Sequence, residues 1–322
     1  TALEQVSKYS SSFMKTLGAE GLEVINLARI FQTGVGDVSW LLRQGGTAVA
    51  FPRQWAWGAK RGIGSLFDGK YADDVAKTIS EDVEYETFRR GFATTATDAK
   101  GNAIMGRVDL EGIEEQLGRA GRAVTEERLT SGADSVLGEW ISSLPILKQT
   151  QRSFRMGLAS MRFALAKEHY ANMRLAGSSD EEIGGMFNFV NRITGRGTLG
   201  AAEKYAPVIN QVAYAARLTA SRFQIPVYLF HHSPYVRKLA ARAILGTTGA
   251  IMGTLGLAKL AGADIELDPR SANWGKMKVG PTRMDITAGF GPLARLAARL
   301  GAEAVGGKGI KTDIGDFRDM DI

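Results

Sequence analysis

The longest uncharged run in this sequence lies between Arg242 and Lys259, within an apolar segment at 239–262. Glycine recurs there every three or four residues, so on a helix the glycines would share one face. They are Gly246, Gly249, Gly253 and Gly256. Such a face lets another backbone approach closely, which predicts a tightly packed internal helix. A membrane or channel-wall segment is the alternative. It would need Arg242 and Lys259 to reach lipid headgroups, because the uncharged run is shorter than the roughly 20 residues that span a bilayer.

Helical spacing of apolar residues recurs over most of the remaining chain. Proline is scarce, with 8 residues, and the 39 glycines mark turns and close crossings between helices. The predicted helices cover 1–33, 37–46, a short stretch from Pro52, 73–90, 110–129, 146–176, 180–192, 206–225 and 292–305.

The apolar spacing changes in two places. Residues 91–109 are rich in Thr, Gly and Asp and predict a loop, in which a short hairpin around Lys100–Asn102 is possible. Residues 274–279 and 282–286 predict two short strands joined at Gly280–Pro281. We therefore expect a mainly α-helical protein with at most one small hairpin near 274–286. Its regions would be 1–145, a helical core at 146–304 and a polar tail at 305–322.

The predicted helix 146–176 has an apolar stripe on one side and a basic stripe on the other. The basic stripe could be an ordinary solvated face, or it could contact phosphate in DNA or anionic lipid. It could also pair with an acidic helix such as 73–86. The residues assigned to phosphate contact are Arg152, Arg155, Arg162, Lys167 and Arg174.

Two tryptophans, Trp55 and Trp57, lie beside Arg53, Lys60 and Arg61. Indole rings favour the boundary between water and lipid, so the pair could contact a membrane interface or a partner. Packing against another helix is the alternative.

Composition adds little to this picture. The chain has 322 residues, a formal charge of +6 and a pI near 9.4, which favours an acidic partner without identifying it. It contains no cysteine, which excludes disulfides and cysteine-ligated metals. It begins at Thr1 and ends at Ile322, which predicts a piece of a longer or processed polypeptide.

The search for catalytic chemistry yields only weak patterns. Gly195, Gly197 and Gly200 match the spacing of a dinucleotide-binding loop, but a helix is predicted before them and no acid follows at the required distance. Adjacent His231 and His232 have no neighbouring ligand pattern that would favour a metal. We therefore expect a non-enzymatic protein with no catalytic, cofactor-binding or metal-binding residues.

Three stretches resemble a known family: VSWLLRQGG at 38–46 followed by a Pro-Arg-x-Trp, NRITGRGTLG at 191–200, and LGLAKLAGADIELDPRSANWGKMKVGPTRMDI at 255–286. They are similar to the large polyvalent protein-associated domains of tailed bacteriophages and prophages, and the resemblance covers roughly 25–300. The family occurs near the end of very long phage polypeptides thought to be packaged in the particle and delivered with the genome. It has no agreed catalytic motif.

The resemblance implies a structural protein inside the virion that moves to the host envelope or periplasm after ejection. Expected partners are other copies and other virion proteins (portal or ejection proteins), with DNA and membrane contact also possible. The alternative is an accessory DNA- or partner-binding domain of a long polypeptide whose enzyme domain lies elsewhere.

Overall fold

The computed structural model describes residues 40–97, 103–119, 145–200, 216–266, 271, 273–279, 282–285, 290, 310–311 and 317–318. The helices predicted at 1–33 and 292–305, and parts of those at 37–46, 110–129 and 206–225, lie outside the described residues, as does most of the polar tail.

The described chain is mainly α-helical, which confirms the predicted fold class. Short 3₁₀ helices occupy Gly45–Ala50 and Ile225–Phe230. The α-helices are α1 (Trp40–Arg43), α2 (Pro52–Phe67), α3 (Gly69–Ser80), α4 (Tyr85–Arg90), α5 (Glu111–Gln116), α6 (Pro145–Leu175), α7 (Asp180–Ile193), α8 (Ala216–Gln224) and α9 (Pro234–Leu260).

Local chemistry accounts for several helix ends. Pro52 begins α2, where a missing backbone N–H costs nothing. The Asp68 carboxylate accepts a hydrogen bond from the Lys70 backbone N–H at 2.8 Å and so begins α3. Ser179 and Glu182 form a reciprocal capping box at the start of α7.

The strands form three small antiparallel sheets. The predicted hairpin near 274–286 is confirmed, since β4 (Lys276–Val279) pairs with β5 (Thr282–Asp285), and β3 (Asp264–Ile265) adds a third strand. The expectation of at most one hairpin was wrong. Residues 91–109 contain a second hairpin, in which β1 (Phe92–Thr97) pairs with β2 (Ala103–Gly106), and β6 (Ile310–Lys311) pairs with β7 (Phe317–Arg318).

The closest helix crossing brings α2 against the long helix α6. Gly62 on α2 and Gly157 on α6 leave space that the Trp40 indole fills, because a Cβ on either glycine would collide with that ring. Met161 and Gly157 of α6 likewise lie directly against Gly58 of α2. Small residues thus permit a close backbone approach at this crossing, which was not predicted from the sequence.

An aromatic cluster forms the other half of the core. The Phe88 ring is centred 5.5 Å from Phe163, 5.4 Å from Tyr170 and 5.2 Å from Phe187, with edge-on or tilted geometry. Phe92 of β1 stacks over Phe187 at 5.9 Å, so the first hairpin lies on α7. The buried residues form one cluster that includes side chains on both sides of the predicted boundary at 145–146.

Candidate functional site

The basic residues of α6 do not form one exposed cationic face. Arg152 donates hydrogen bonds to the Ser65 and Leu66 carbonyls at the end of α2, and Arg155 pairs with Glu115. A guanidinium there satisfies carbonyls that a helix end leaves unpaired.

The two cations nearer the end of α6 also have internal partners. Lys167 pairs with Asp82 and, at 3.3 Å, with Glu84. Arg174 pairs with Asp180 at 2.7 Å and lies over the Phe92 ring. The interpretation in which this stripe pairs with acidic residues within the protein therefore describes Arg155, Lys167 and Arg174. The partners of Lys167 lie in the turn between α3 and α4.

Arg162 departs furthest from the expectation, because its side chain is 0% exposed. Its Nε donates to the Thr194 hydroxyl at 2.9 Å, and its Nη1 lies 3.5 Å from a carboxylate oxygen of Asp109. A cation buried in this way cannot contact an external phosphate. Its position corrects the prediction of a shared phosphate-binding surface.

Asp109 is held between two guanidinium groups, those of Arg162 and Arg196. Burial opposes ionisation of the Asp109 carboxyl, but Arg196 and Arg162 outweigh that effect and hold its pKa well below the ordinary value. Arg196 also bonds Glu111 at 3.1 Å. This buried network joins the segment after β2 to α6 and to the end of α7.

A cleft of about 360 Å³ opens beside this network. Its walls are formed by α7, by α8, by the loop that follows α7 and by the segment that follows β2. Five of its lining residues are arginines: Arg89, Arg107, Arg192, Arg196 and Arg217. Sequence reasoning missed this cleft. The arginines come from α4, the segment after β2, α7, the loop after α7 and α8, so no local motif marks them.

The glycine-rich helix is α9, and it has two unlike halves. Its first half is docked in the core through Val236, Leu239, Ala240, Ala243 and Thr247, which follow one helical stripe. The distal half, residues 248–260, is mostly exposed: Leu257 is 70% exposed and Leu260 is 86% exposed.

The glycines of α9 follow the same division. A Cβ on Gly246 would meet Ala50, whereas a Cβ on Gly249, Gly253 or Gly256 would meet no atom of the described residues within 4 Å. The predicted tightly packed internal helix is therefore correct for the first half and wrong for the distal half, as far as the described chain shows. By length and composition α9 could cross a membrane. Among the described residues, no other helix is both long enough and apolar enough to do so.

The tryptophan pair packs mainly within the protein. Trp55 and Trp57 are half-buried against the core, and the Trp55 indole donates to the Leu41 carbonyl at 3.3 Å. The Arg61 guanidinium lies 3.4 Å from the centre of the Trp57 ring. These contacts match the helix-packing interpretation, although part of each ring stays accessible.

The glycines at 195–200 form a turn between helices. α7 precedes them, in place of the strand that a dinucleotide-binding loop requires. Gly195 has a φ of +85°, and Gly197 passes so close to α8 that its N–H donates to the Arg217 carbonyl at 3.1 Å.

The two adjacent histidines have different surroundings. The His231 ring stacks on Tyr228 with the ring centres 5.8 Å apart, and its Nδ1 accepts from the Ser233 backbone N–H. The His232 Nε2 lies 3.1 Å from a carboxylate oxygen of Glu181. No group of three or more metal-ligating side chains occurs in the described part of the chain.

Comparison with protein-family models, with curated proteins and with solved structures gave no significant match. The site must therefore be interpreted from its own geometry.

Proposed function

We propose that this protein is a non-enzymatic structural protein of a tailed bacteriophage, packaged in the particle and ejected with the genome. On this proposal it associates with the membrane of the host envelope through the distal half of α9, and several copies assemble there. The phage assignment rests on the sequence resemblance. The membrane association rests on one observation, the exposed apolar surface of residues 248–260.

The distal half suits lipid better than water. Its one charged residue is Lys259, near the far end. Thirteen residues at 1.5 Å each extend about 20 Å, too short to cross a hydrocarbon core about 30 Å thick. The segment would therefore lie tilted within one leaflet, where the long side chain of Lys259 can reach the headgroups. The Thr254 hydroxyl donates to the Ala250 carbonyl at 2.8 Å, so this polar group is already satisfied within the helix. In water, in contrast, Met252, Leu257 and Leu260 would stay exposed without an apolar neighbour.

The base of the distal half carries positive charge. Arg237, Lys238 and Arg242 are exposed on the preceding turns of α9. Arg242 is held in place, because it donates to the Ala50 carbonyl at 3.1 Å and lies over the Phe51 ring. These cations would face lipid headgroups when the distal half enters the bilayer, which favours anionic membranes.

Vesicle flotation tests the membrane association. Wild-type protein should float with vesicles of phosphatidylcholine and phosphatidylglycerol, and less with phosphatidylcholine alone. The double substitution Met252→Lys and Leu257→Lys should abolish flotation, because charge in the bilayer core is costly. Val83→Lys is the matched control, since Val83 is also an exposed apolar residue, at 92%, but lies outside α9. Equal flotation of the double variant and wild type would contradict the proposal.

Mass spectrometry of purified phage particles tests the packaging separately. The protein should be present in intact particles and depleted after genome release in vitro. Its absence from intact particles would reject the virion role whatever the result with vesicles.

A further inference from the structure

The arginine-lined cleft has the size of a ligand site and is lined by groups from separate elements. Its volume of about 360 Å³ is within the range of small-molecule pockets, roughly 300–1,000 Å³. Arg107 follows β2, Arg192 ends α7 and Arg217 begins α8. No aromatic side chain lines the cleft among the described residues. The lining therefore suits a charged group and offers no platform on which a base could stack.

The carboxylates around the cleft are already engaged by arginines. Asp109 pairs with Arg162 and Arg196, and Glu111 pairs with Arg196. Glu114 lies 3.7 Å from Arg89, which is bonded to Glu86 on its own helix. The lining itself contains five arginines and three carboxylates, those of Asp109, Glu111 and Glu114.

Arg107 is an exposed cation at the rim of the cleft. Its side chain is exposed, and it has no ion-pair partner among the described residues. Its backbone is held firmly, because the Asn191 side-chain amide donates to the Arg107 carbonyl at 2.7 Å and the Asn191 side-chain oxygen accepts from the Asp109 N–H at 2.9 Å. The guanidinium is thus presented from a fixed segment, which reduces the entropy that a ligand must overcome on binding.

We propose that this cleft binds a phosphate group, with Arg107 as the direct contact at its rim and the other arginines supplying the positive field. A planar guanidinium matches the oxygens of phosphate in a bidentate manner. The phosphate could belong to the backbone of a nucleic acid or to a free nucleotide. Because no aromatic side chain lines the cleft among the described residues, a base would have no ring to stack on. Binding to nucleic acid through its phosphates would therefore be independent of sequence.

Fluorescence anisotropy without lipid tests this proposal independently of membrane association. The probe is a labelled DNA oligonucleotide at about 50 mM salt, with ATP and inorganic phosphate as competitors. Arg107→Glu should weaken binding about tenfold and lower the slope of log affinity against log salt by about one. Displacement by millimolar ATP would identify a free nucleotide as a suitable ligand, whereas displacement only by unlabelled DNA would identify the phosphodiester backbone.

Arg53→Glu is the matched control, since Arg53 is exposed on α2, outside the cleft, and the substitution changes net charge equally. It should bind as wild type does, apart from a small general charge effect. Thermal unfolding should show that both variants are folded. No binding of any probe by wild type, or equal losses in the two variants, would overturn the proposal.

Discussion

At the scale of single residues, the stability of the fold depends on Asp109, whose carboxylate lies between two buried guanidinium groups. Its partners Arg162 and Arg196 are 0% and 8% exposed. A buried cation is tolerated only when it is paired, since desolvation otherwise costs several kcal/mol. Asp109 therefore holds three parts of the chain together and keeps the inner wall of the cleft in place.

Asp109→Asn should destabilise the protein strongly. The amide keeps the size of the carboxylate but leaves Arg162 and Arg196 without its countercharge, so we expect a loss of about 3–5 kcal/mol in the free energy of unfolding. Urea denaturation would measure it. Asp74→Asn, at an exposed position on α3, should change stability by less than about 0.5 kcal/mol. Similar losses in the two variants would show that the network has little energetic weight.

A buried histidine makes stability depend on pH. His169 lies against Phe51, and its Nδ1 is 3.0 Å from the Tyr235 hydroxyl. Burial, with a smaller contribution from nearby Arg242, lowers the pKa of His169 to about 4. Since an unfolded histidine titrates near 6.5, the unfolded state binds the extra proton between pH 6.5 and 4, and stability is lost as the pH falls through that range.

We expect the free energy of unfolding to fall by about 2–3 kcal/mol between pH 7 and 4.5, from 1.36 kcal/mol per pKa unit. His169→Gln should remove most of this dependence, because glutamine does not titrate. Denaturant unfolding at each pH would measure the difference, with His232→Gln as a control at an exposed histidine. An unchanged pH dependence in His169→Gln would assign the effect to other groups.

At the scale of elements, helix packing depends on which glycines face a neighbour. Gly157 of α6 lies directly against the Trp40 ring, whereas Gly253 of α9 has no described neighbour within 4 Å. The two residues are the same in chemistry and both lie inside long helices. Only their surroundings differ.

Gly157→Leu should destabilise the fold by overpacking, by roughly 1–3 kcal/mol or more. Gly253→Leu should leave the free energy of unfolding within about 0.5 kcal/mol of wild type, because the added side chain meets open space and leucine favours helix. Thermal or chemical denaturation of the pair would test this. A large loss in Gly253→Leu would show that part of the chain outside the described residues covers that face.

At the scale of the whole molecule, a folded helical body carries a projecting apolar helix end. The aromatic cluster, the α2–α6 crossing and the Asp109 network stabilise the body, and the distal half of α9 contributes only Leu255 to the buried residues. The stability of the body and the behaviour of the projecting segment should therefore be separable.

We expect wild-type protein to self-associate in water at rising concentration and to dissociate in mild detergent, since exposed apolar surface drives association. The double substitution Met252→Lys and Leu257→Lys should stay monodisperse without detergent and keep the wild-type circular dichroism spectrum. Light scattering coupled to size-exclusion chromatography would measure this. Self-association that is unchanged in the double variant would place the contact elsewhere.

Local patterns in the sequence predicted most of the described helices and the hairpin at 274–286, although the single helix predicted at 73–90 is divided into α3 and α4. Apolar spacing, the proline at position 52, the capping serine at position 179 and the Gly-Pro pair at 280–281 are signals that extend over a few residues, so they can be recognised without a tertiary structure. The hairpin at 92–106 was weakly marked, because its strands, FATTAT and AIMG, are short and lack a clear alternation of apolar and polar residues.

Only the tertiary structure determines which groups the charged residues and the glycines of those helices contact. Arg162 has the same charge and helical position whether it faces solvent or Asp109, which lies 53 residues earlier in the chain. The cleft likewise brings together arginines from separate segments, a grouping that no local pattern encodes. The glycines of α9 predicted a close neighbour, but the neighbour must be supplied by folding, and among the described residues only Gly246 has one. Periodicity determines which side chains share a face, whereas the partner of that face depends on long-range packing.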